Sequence, residues 1–276
     1  MSFFRYPGGK AKLSKPIIQK IKEITKDKLI HRYMEPFFGG GSICFAALKE
    51  NVFPDLQTVV ANDTDFAIHC IWRTVYHEPK LLVDRIKDFV PSTEAFYTFK
   101  KELESCSYTN ESFDSIAFKK IALHQMSYSG LGVKAGGPIG GAKQNSKYDI
   151  GCRWSPDSMA KKIYKDHALL APYNTYLFAT DFEKVIDTNA TQNTFIYVDP
   201  PYFDKGSDLY QFSFSKDDHA RLANSLKKVD SHWLLSYDSC SEIKEMYDWA
   251  NIEEVPVNYT ITTARAKSEL FISPKQ

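Results

Sequence analysis

A chain of 276 residues, 43% hydrophobic and 25% charged, has the composition of a soluble globular protein and can bury one large core, or a core carrying a sizeable insertion. Neither the amino-terminal residues nor any later run supplies an apolar stretch long enough for a signal peptide or a bilayer span, so a cytoplasmic protein is expected. Cys44, Cys70, Cys106, Cys152 and Cys240 are scattered and odd in number, with no Cys-x-x-Cys pair, which argues against a disulfide framework or a zinc site; no metal is expected.

The first element is Phe4-Arg5-Tyr6-Pro7-Gly8-Gly9-Lys10, a turn leading into a helix with Leu13, Ile17, Ile21 and Ile24 on one stripe. Gly8 and Gly9 ahead of a helix let backbone approach a ligand closely, and Lys10 is placed to meet a carboxylate; an ordinary turn would use the same residues. Next, Arg32-Tyr33-Met34-Glu35-Pro36-Phe37-Phe38-Gly39-Gly40-Gly41-Ser42 reads as a short strand and a glycine turn ahead of a helix, a nucleotide-type βα unit. Gly39 and Gly41 match the first two glycines of the dinucleotide fingerprint, but its third position is Cys44, and no Gly-Lys-Ser/Thr follows. A strand through Thr58-Val59-Val60-Ala61 ends at Asn62-Asp63. An acid there is placed to bind ribose hydroxyls, or to cap the helix that follows.

From Phe66 to about Met126 apolar residues recur at helical spacing and read as core, with His124 a lone polar or packed residue. The texture then changes. Residues 127–141 form a long polar loop holding six of the 13 glycines, and the surrounding Tyr128, Lys134, Lys143, Lys147 and Arg153 suit nucleic-acid contact. Between Asp114 and Ala168 nine basic residues face four acids, a balance of +5 that leaves −4 elsewhere in a chain of net charge +1. Such asymmetry fits one phosphate-facing surface, or a solvated lysine-rich face.

A helix from about Ser155 to Leu170 precedes the strand Thr175–Ala179 and then Asp181-Phe182, an acid and an aromatic able to hold an adenine, or a plain helix cap. The apolar run Thr194–Val198 ends at Asp199-Pro200-Pro201-Tyr202. Proline has no N–H to donate, so the strand stops and Asp199 stands at its carboxyl end, the edge where open α/β sheets bind ligands. The carboxylate and the Pro200 carbonyl can accept the two hydrogens of an exocyclic amine, while Tyr202 stacks on the ring bearing it; a flipped adenine is such a group. Beyond it, Ser215–Asp218 starts a capped helix, His232–Asp238 is a buried strand, and the last 25 residues read as two strands with a basic turn.

Taken in order, Tyr6-x-Gly-Gly-Lys10, Glu35-Pro-Phe37-x-Gly39-x-Gly41, Asp63, the basic insert and Asp199-Pro-Pro-Tyr202 resemble the Dam-like, alpha group of DNA adenine-N6 methyltransferases. The resemblance implies an α/β, Rossmann-like S-adenosylmethionine-dependent methyltransferase fold, formed by residues 1–65 and 171–276, with a helical, basic target-recognition insert at 66–170. It implies S-adenosylmethionine held by Tyr6, Gly8, Gly9, Lys10, Glu35, Phe37, Gly39, Gly41, Asp63, Asp181 and Phe182, and catalysis by Asp199, Pro200 and Tyr202. It also implies double-stranded DNA met by Arg5, Tyr128, Lys134, Lys143, Lys147 and Arg153. N4 of cytosine or RNA as substrate, and a non-catalytic DNA-binding module, remain alternatives. A cognate restriction endonuclease, and the choice of monomer or homodimer, stay open. The family's Phe-Asn-Gly-Leu-x-Arg pattern is replaced by Tyr128-Ser129-Gly130-Leu131-Gly132-Val133, so its recognition sequence does not carry over.

Overall fold

Side chains alternate along the apolar strands, and each strand therefore serves two cores. In β4 (Thr194–Val198) Phe195 and Tyr197 enter one core while Ile196 and Val198 enter the other; β1 (Arg32–Glu35) divides Tyr33 from Met34 in the same way. The computed structural model describes residues 3–203, 212–257 and 267–275. Its sheet has seven strands in the order β3-β2-β1-β4-β5-β7-β6, with β2 at Thr58–Asn62, β3 at Asn174–Phe178, β5 at His232–Asp238, β6 at Asn251–Val257 and β7 at Lys267–Ser273. β3, β2, β1, β4 and β5 run parallel, and β7 pairs antiparallel with both β5 and β6. The expected closing pair of strands is present; its basic turn, including Arg265, lies outside the described residues. Strand order reverses between β1 and β4, and that places the ligand crevice where the glycine turn and Asp199 both emerge.

One core takes α1 (Ser14–Ile24) and α2 (Ser42–Lys49) together with the helices of 66–170: α3 (Phe66–His77), α4 (Pro79–Asp88), α5 (Thr93–Ser105), α6 (Phe113–Met126) and α7 (Pro156–Leu170). Ile68, Ile71 and Trp72 of α3 share this core with Tyr33, Val59 and Phe195 of the sheet. The other core is covered by α8 (Phe182–Asn189), α9 (Lys216–Lys228) and α10 (Ser241–Met246). α9 begins with a complete capping box: Asp218 N–H donates to Ser215 Oγ, and Ser215 N–H donates back to Asp218. Among the described residues no helix is long and apolar enough to cross a membrane, and no cluster of His, Cys, Asp and Glu could hold a metal ion.

The stretch 127–141 is more ordered than its glycine content suggests. Two short 3-10 turns, Tyr128–Gly130 and Gly132–Lys134, fold it back on α6, where Tyr128 N–H donates to the Gly137 carbonyl and Ile139 N–H to that of Met126. Backbone groups satisfied in this way hold a loop without regular structure.

Candidate active site

The crevice is built first by glycine. At Gly39, φ is +46°, and a Cβ there would lie 2.5 Å from a ring carbon of Tyr6. The amino-terminal turn thus packs its aromatic ring directly on the glycine turn, a contact only glycine permits. Gly39 is held on both sides, its N–H donating to Asp63 Oδ2 at 2.9 Å and its carbonyl accepting from Trp72 Nε1 at 2.8 Å. The Asn62 amide joins three strand ends, donating to the carbonyls of Pro36 and Thr180 and accepting from Thr180 N–H.

Above this floor lies a cavity of about 450 Å³. Its wall includes Tyr6, Gly8, Gly9, Glu35, Phe37, Gly39, Asp63, Asp181, Phe182 and Asp199 of the residues singled out from sequence. Gly41, with φ +63°, shapes the turn from behind the wall against Phe38 and Phe45. Burial pushes the Glu35 carboxyl up to about 8, Tyr33 O–H donating to it in partial compensation, and pushes Asp63 up to about 7 with neighbouring Asp65 adding to the effect. Asp65, not Asp63, caps α3, accepting from Ala67 N–H while paired with buried Lys120 at 2.5 Å. Asp63 lines the cavity, one oxygen accepting from Gly39 N–H and the other from Asp65 N–H at 2.9 Å. Asp181 caps α8 and also accepts from Arg221 at 2.8 Å, while Phe182 packs on Phe37 and Phe214.

Lys10, expected to meet a carboxylate, meets two of the protein's own and does not line the cavity. It is 3% exposed and stands behind the cavity wall, its Nζ 2.6 Å from Asp199 Oδ1, 2.9 Å from Glu269 Oε1 and 3.0 Å from the Tyr202 hydroxyl. The physical reason is charge: a buried ammonium needs carboxylates, and β4 and β7 bring two within reach. Burial alone would lower Lys10, but Asp199 and Glu269 reverse that and hold it well above the ordinary lysine range. Burial likewise pushes Asp199 upward, and Lys10 opposes it. Ser236 Oγ, 2.9 Å from Tyr197 Oη, supports Asp199 Oδ1 at 3.4 Å. Pro200 is buried, and Tyr202 lies beside Lys10, its ring centroid 4.5 Å from Nζ, instead of in the cavity wall.

Residues 66–170 reach the site through α6. Lys120 and His124 line the cavity, although the sequence marked them only as surface charge and packed residue. His124 Nδ1 lies 2.8 Å from the Gly130 carbonyl; because a carbonyl only accepts, this nitrogen carries the proton. Burial, with Lys120 adding, pulls His124 down to about 3, so the ring is neutral. Of the residues expected to meet nucleic acid, Tyr128, Lys134, Lys143, Lys147 and Arg153 are exposed, Tyr128 by 69%. Arg5 is half-buried against Gly130, and burial together with nearby Arg153 lowers it from its ordinary value. Two of the nine cations counted in this region do not serve an outward surface: Lys120 pairs with Asp65, and Lys119 with Glu102 and Glu111. Glu269, Lys120, Ser236 and Arg221 were not found from sequence. The one trace of Glu269 was an acid sharing a strand face with core residue Phe271.

The cavity suits S-adenosylmethionine by the chemistry of its walls. Glu35, Asp63 and Asp181 offer acceptors to a ligand rich in donors, namely an ammonium, a ribose diol and an adenine amine, while Phe37 and Phe182 offer an apolar face. Two enclosed carboxylates held above their ordinary range are stabilised as anions once such donors arrive.

A family model described as D12 class N6 adenine-specific DNA methyltransferase matches residues 6–261. The chain is 24% identical over 275 residues to the type II methyltransferase M.MjaIII of Methanocaldococcus jannaschii, covering 92% of this chain and 90% of that one. It is 23% identical over 222 residues to the type II methyltransferase M.CviBI of Paramecium bursaria Chlorella virus NC1A, covering 78% and 76% respectively. Among solved structures, the rRNA methyltransferase aviRa of Streptomyces viridochromogenes aligns with a TM-score of 0.43 and 13% identity, over 97% of this chain and 86% of that one.

Proposed function

The chain belongs to the D12 class of N6 adenine-specific DNA methyltransferases, and from that premise we propose how its residues divide the work. The reaction moves a methyl group from S-adenosylmethionine to N6 of adenine in DNA. Tyr6, Gly8, Gly9, Glu35, Phe37, Gly39, Asp63, Asp181 and Phe182 hold the donor: Asp63 takes the ribose, Asp181 and Phe182 the adenine, and Glu35 the ammonium end. Gly41 shapes the turn. When bound, the donor supplies a methyl carbon made electrophilic by its sulfonium.

The protein's task is then to position the amine and stabilise charge on it. The lone pair of an adenine amine is delocalised into the ring. Asp199 and the Pro200 carbonyl each accept one N6 hydrogen, which favours a pyramidal nitrogen and offsets positive charge as the N–C bond forms. Asp199 takes the departing proton and passes it to water. Tyr202 stacks on the extruded base. Positioning of this kind lowers a barrier by several kcal/mol, up to about 7–11 in the best-oriented cases. Arg5, Tyr128, Lys134, Lys143, Lys147 and Arg153 meet the duplex, and residues 66–170 act as the target-recognition unit. A cognate restriction endonuclease is a partner this role accommodates.

The observation that carries the assignment is that Asp199 and the glycine turn, remote in sequence, wall one cavity. The test is product analysis after incubation of the protein and labelled donor with unmethylated DNA or with RNA. Labelled N6-methyldeoxyadenosine from DNA is expected from the wild type and none from Asp199→Ala, whose donor binding should persist. Loss of donor binding in that variant would place Asp199 in the donor pocket or the fold instead.

A further inference from the structure

Asp199 does not face the substrate alone. Behind it, Lys10 Nζ bridges Asp199 Oδ1 and Glu269 Oε1 at 2.6 and 2.9 Å, and Tyr202 O–H reaches Glu269 at 3.3 Å. The lysine and Glu269 are both buried, with 2% and 4% of their side chains exposed, whereas Asp199 keeps 20%. Neither Lys10 nor Glu269 belongs to the cavity wall. The three groups come from the amino-terminal turn, the end of β4 and β7, so the arrangement depends on the whole sheet.

We propose that Glu269 is a positioning residue for methyl transfer, acting through Lys10 to hold Asp199 in place and to set how much of the lysine's charge Asp199 feels. The inference rests on the reading of Asp199 as the acid that meets the amine. With one carboxylate beside it, a buried ammonium would commit its charge to Asp199 and weaken it as an acceptor. With two, the charge is shared. Glu269 also orients Tyr202 through its hydroxyl, linking the residue that stacks on the base to the one that accepts its hydrogens. Among the described residues, the other titratable or polar groups facing Asp199 are Tyr202, Tyr197, Tyr237, Glu35 and Ser236. Burial raises Glu269, Lys10 opposes that, and Asp199 adds to it, as expected for two carboxylates sharing one cation.

The test is the pH dependence of the single-turnover methylation rate, measured with excess enzyme and saturating donor on unmethylated plasmid DNA. Asp199 offsets the positive charge on the amine and takes its departing proton only as a carboxylate, so the rate falls on the acid side as it protonates. Glu269→Gln removes a charge that repels Asp199 and leaves Lys10 undivided, so the acid limb should move to lower pH and the plateau should drop, with donor affinity unchanged. Lys10→Met removes the opposing cation and should move the acid limb up by about 1–3 pH units, the effect of losing a charge at contact distance. Opposite shifts support the proposal. A lower rate with an unmoved acid limb in Glu269→Gln overturns it and leaves Glu269 structural. If Lys10→Met does not fold, Glu269→Gln decides alone. Asp199→Ala, which keeps no acceptor, separates the underlying reading: full single-turnover activity in that variant would remove Asp199 from the chemistry whatever the other two show.

Discussion

Replacing Gly39 with alanine should separate the donor site from the rest of the fold. At φ +46° an L-residue costs about 1–2 kcal/mol, and the new Cβ would lie 2.5 Å from Tyr6 Cε1 and 3.0 Å from Cζ. The backbone cannot rotate away freely, because the Gly39 N–H is bonded to Asp63 and its carbonyl to Trp72. The Tyr6 ring must therefore leave the cavity wall, and Asp63 shifts with the turn. For a chain of this size each kcal/mol lowers Tm by roughly 2–4 °C, so a fall of several degrees is expected. Affinity for S-adenosylmethionine should fall by about tenfold or more, equivalent to about 1.4 kcal/mol. Calorimetric titration gives Kd and scanning calorimetry gives Tm on the same samples. Gly136→Ala is the control, since a Cβ there meets nothing within 4 Å, and both quantities should match the wild type. If Gly39→Ala lowers Tm yet leaves donor Kd unchanged, the Tyr6–Gly39 contact is not a wall of the donor site.

Two further expectations follow from charge. The folded-state pKa of Glu35 is raised from 4.5 to about 8, so its contribution to stability is complete below the ordinary value and lost as pH rises through about 8. Tm of the unliganded protein should fall over that window, less steeply in Glu35→Gln. Donor binding at neutral pH should release a proton from the wild type that Glu35→Gln does not release, as read by titration in buffers of different ionisation enthalpy. On the DNA side, Lys143→Ala and Arg153→Ala should each reduce the slope of log affinity against log salt by about 0.9 while leaving donor Kd unchanged. An unaltered slope would remove that residue from the phosphate-facing surface.

What sequence could reveal depended on whether the information was local. The proline turn after β4 and the glycine turn after β1 are each written in a few consecutive residues, because a missing N–H or a positive φ is a property of one residue type. Most of the cavity wall followed from them. The pairing of Lys10 with Asp199 spans 189 positions and leaves no periodic mark, so nothing in the sequence signalled that this lysine meets the acid of the proline turn. The outward charge of residues 114–168 was overcounted for a related reason: a sum along the chain does not see that Lys119 and Lys120 meet acids lying outside the counted segment. Asp63 and Asp65 were separable only by geometry, since either could have capped α3. His124 gave no sign of reaching the cavity, because a lone histidine on a core helix looks the same whichever way it faces.

The most direct test of the account is long-read sequencing, scored for modified bases, of plasmid DNA from an adenine-methylation-deficient host expressing either the wild type or Asp199→Ala. N6-methyladenine confined to one short sequence motif is expected with the wild type and none with the variant at equal soluble expression. Modification of equal extent with Asp199→Ala, or none with folded wild type, would contradict it.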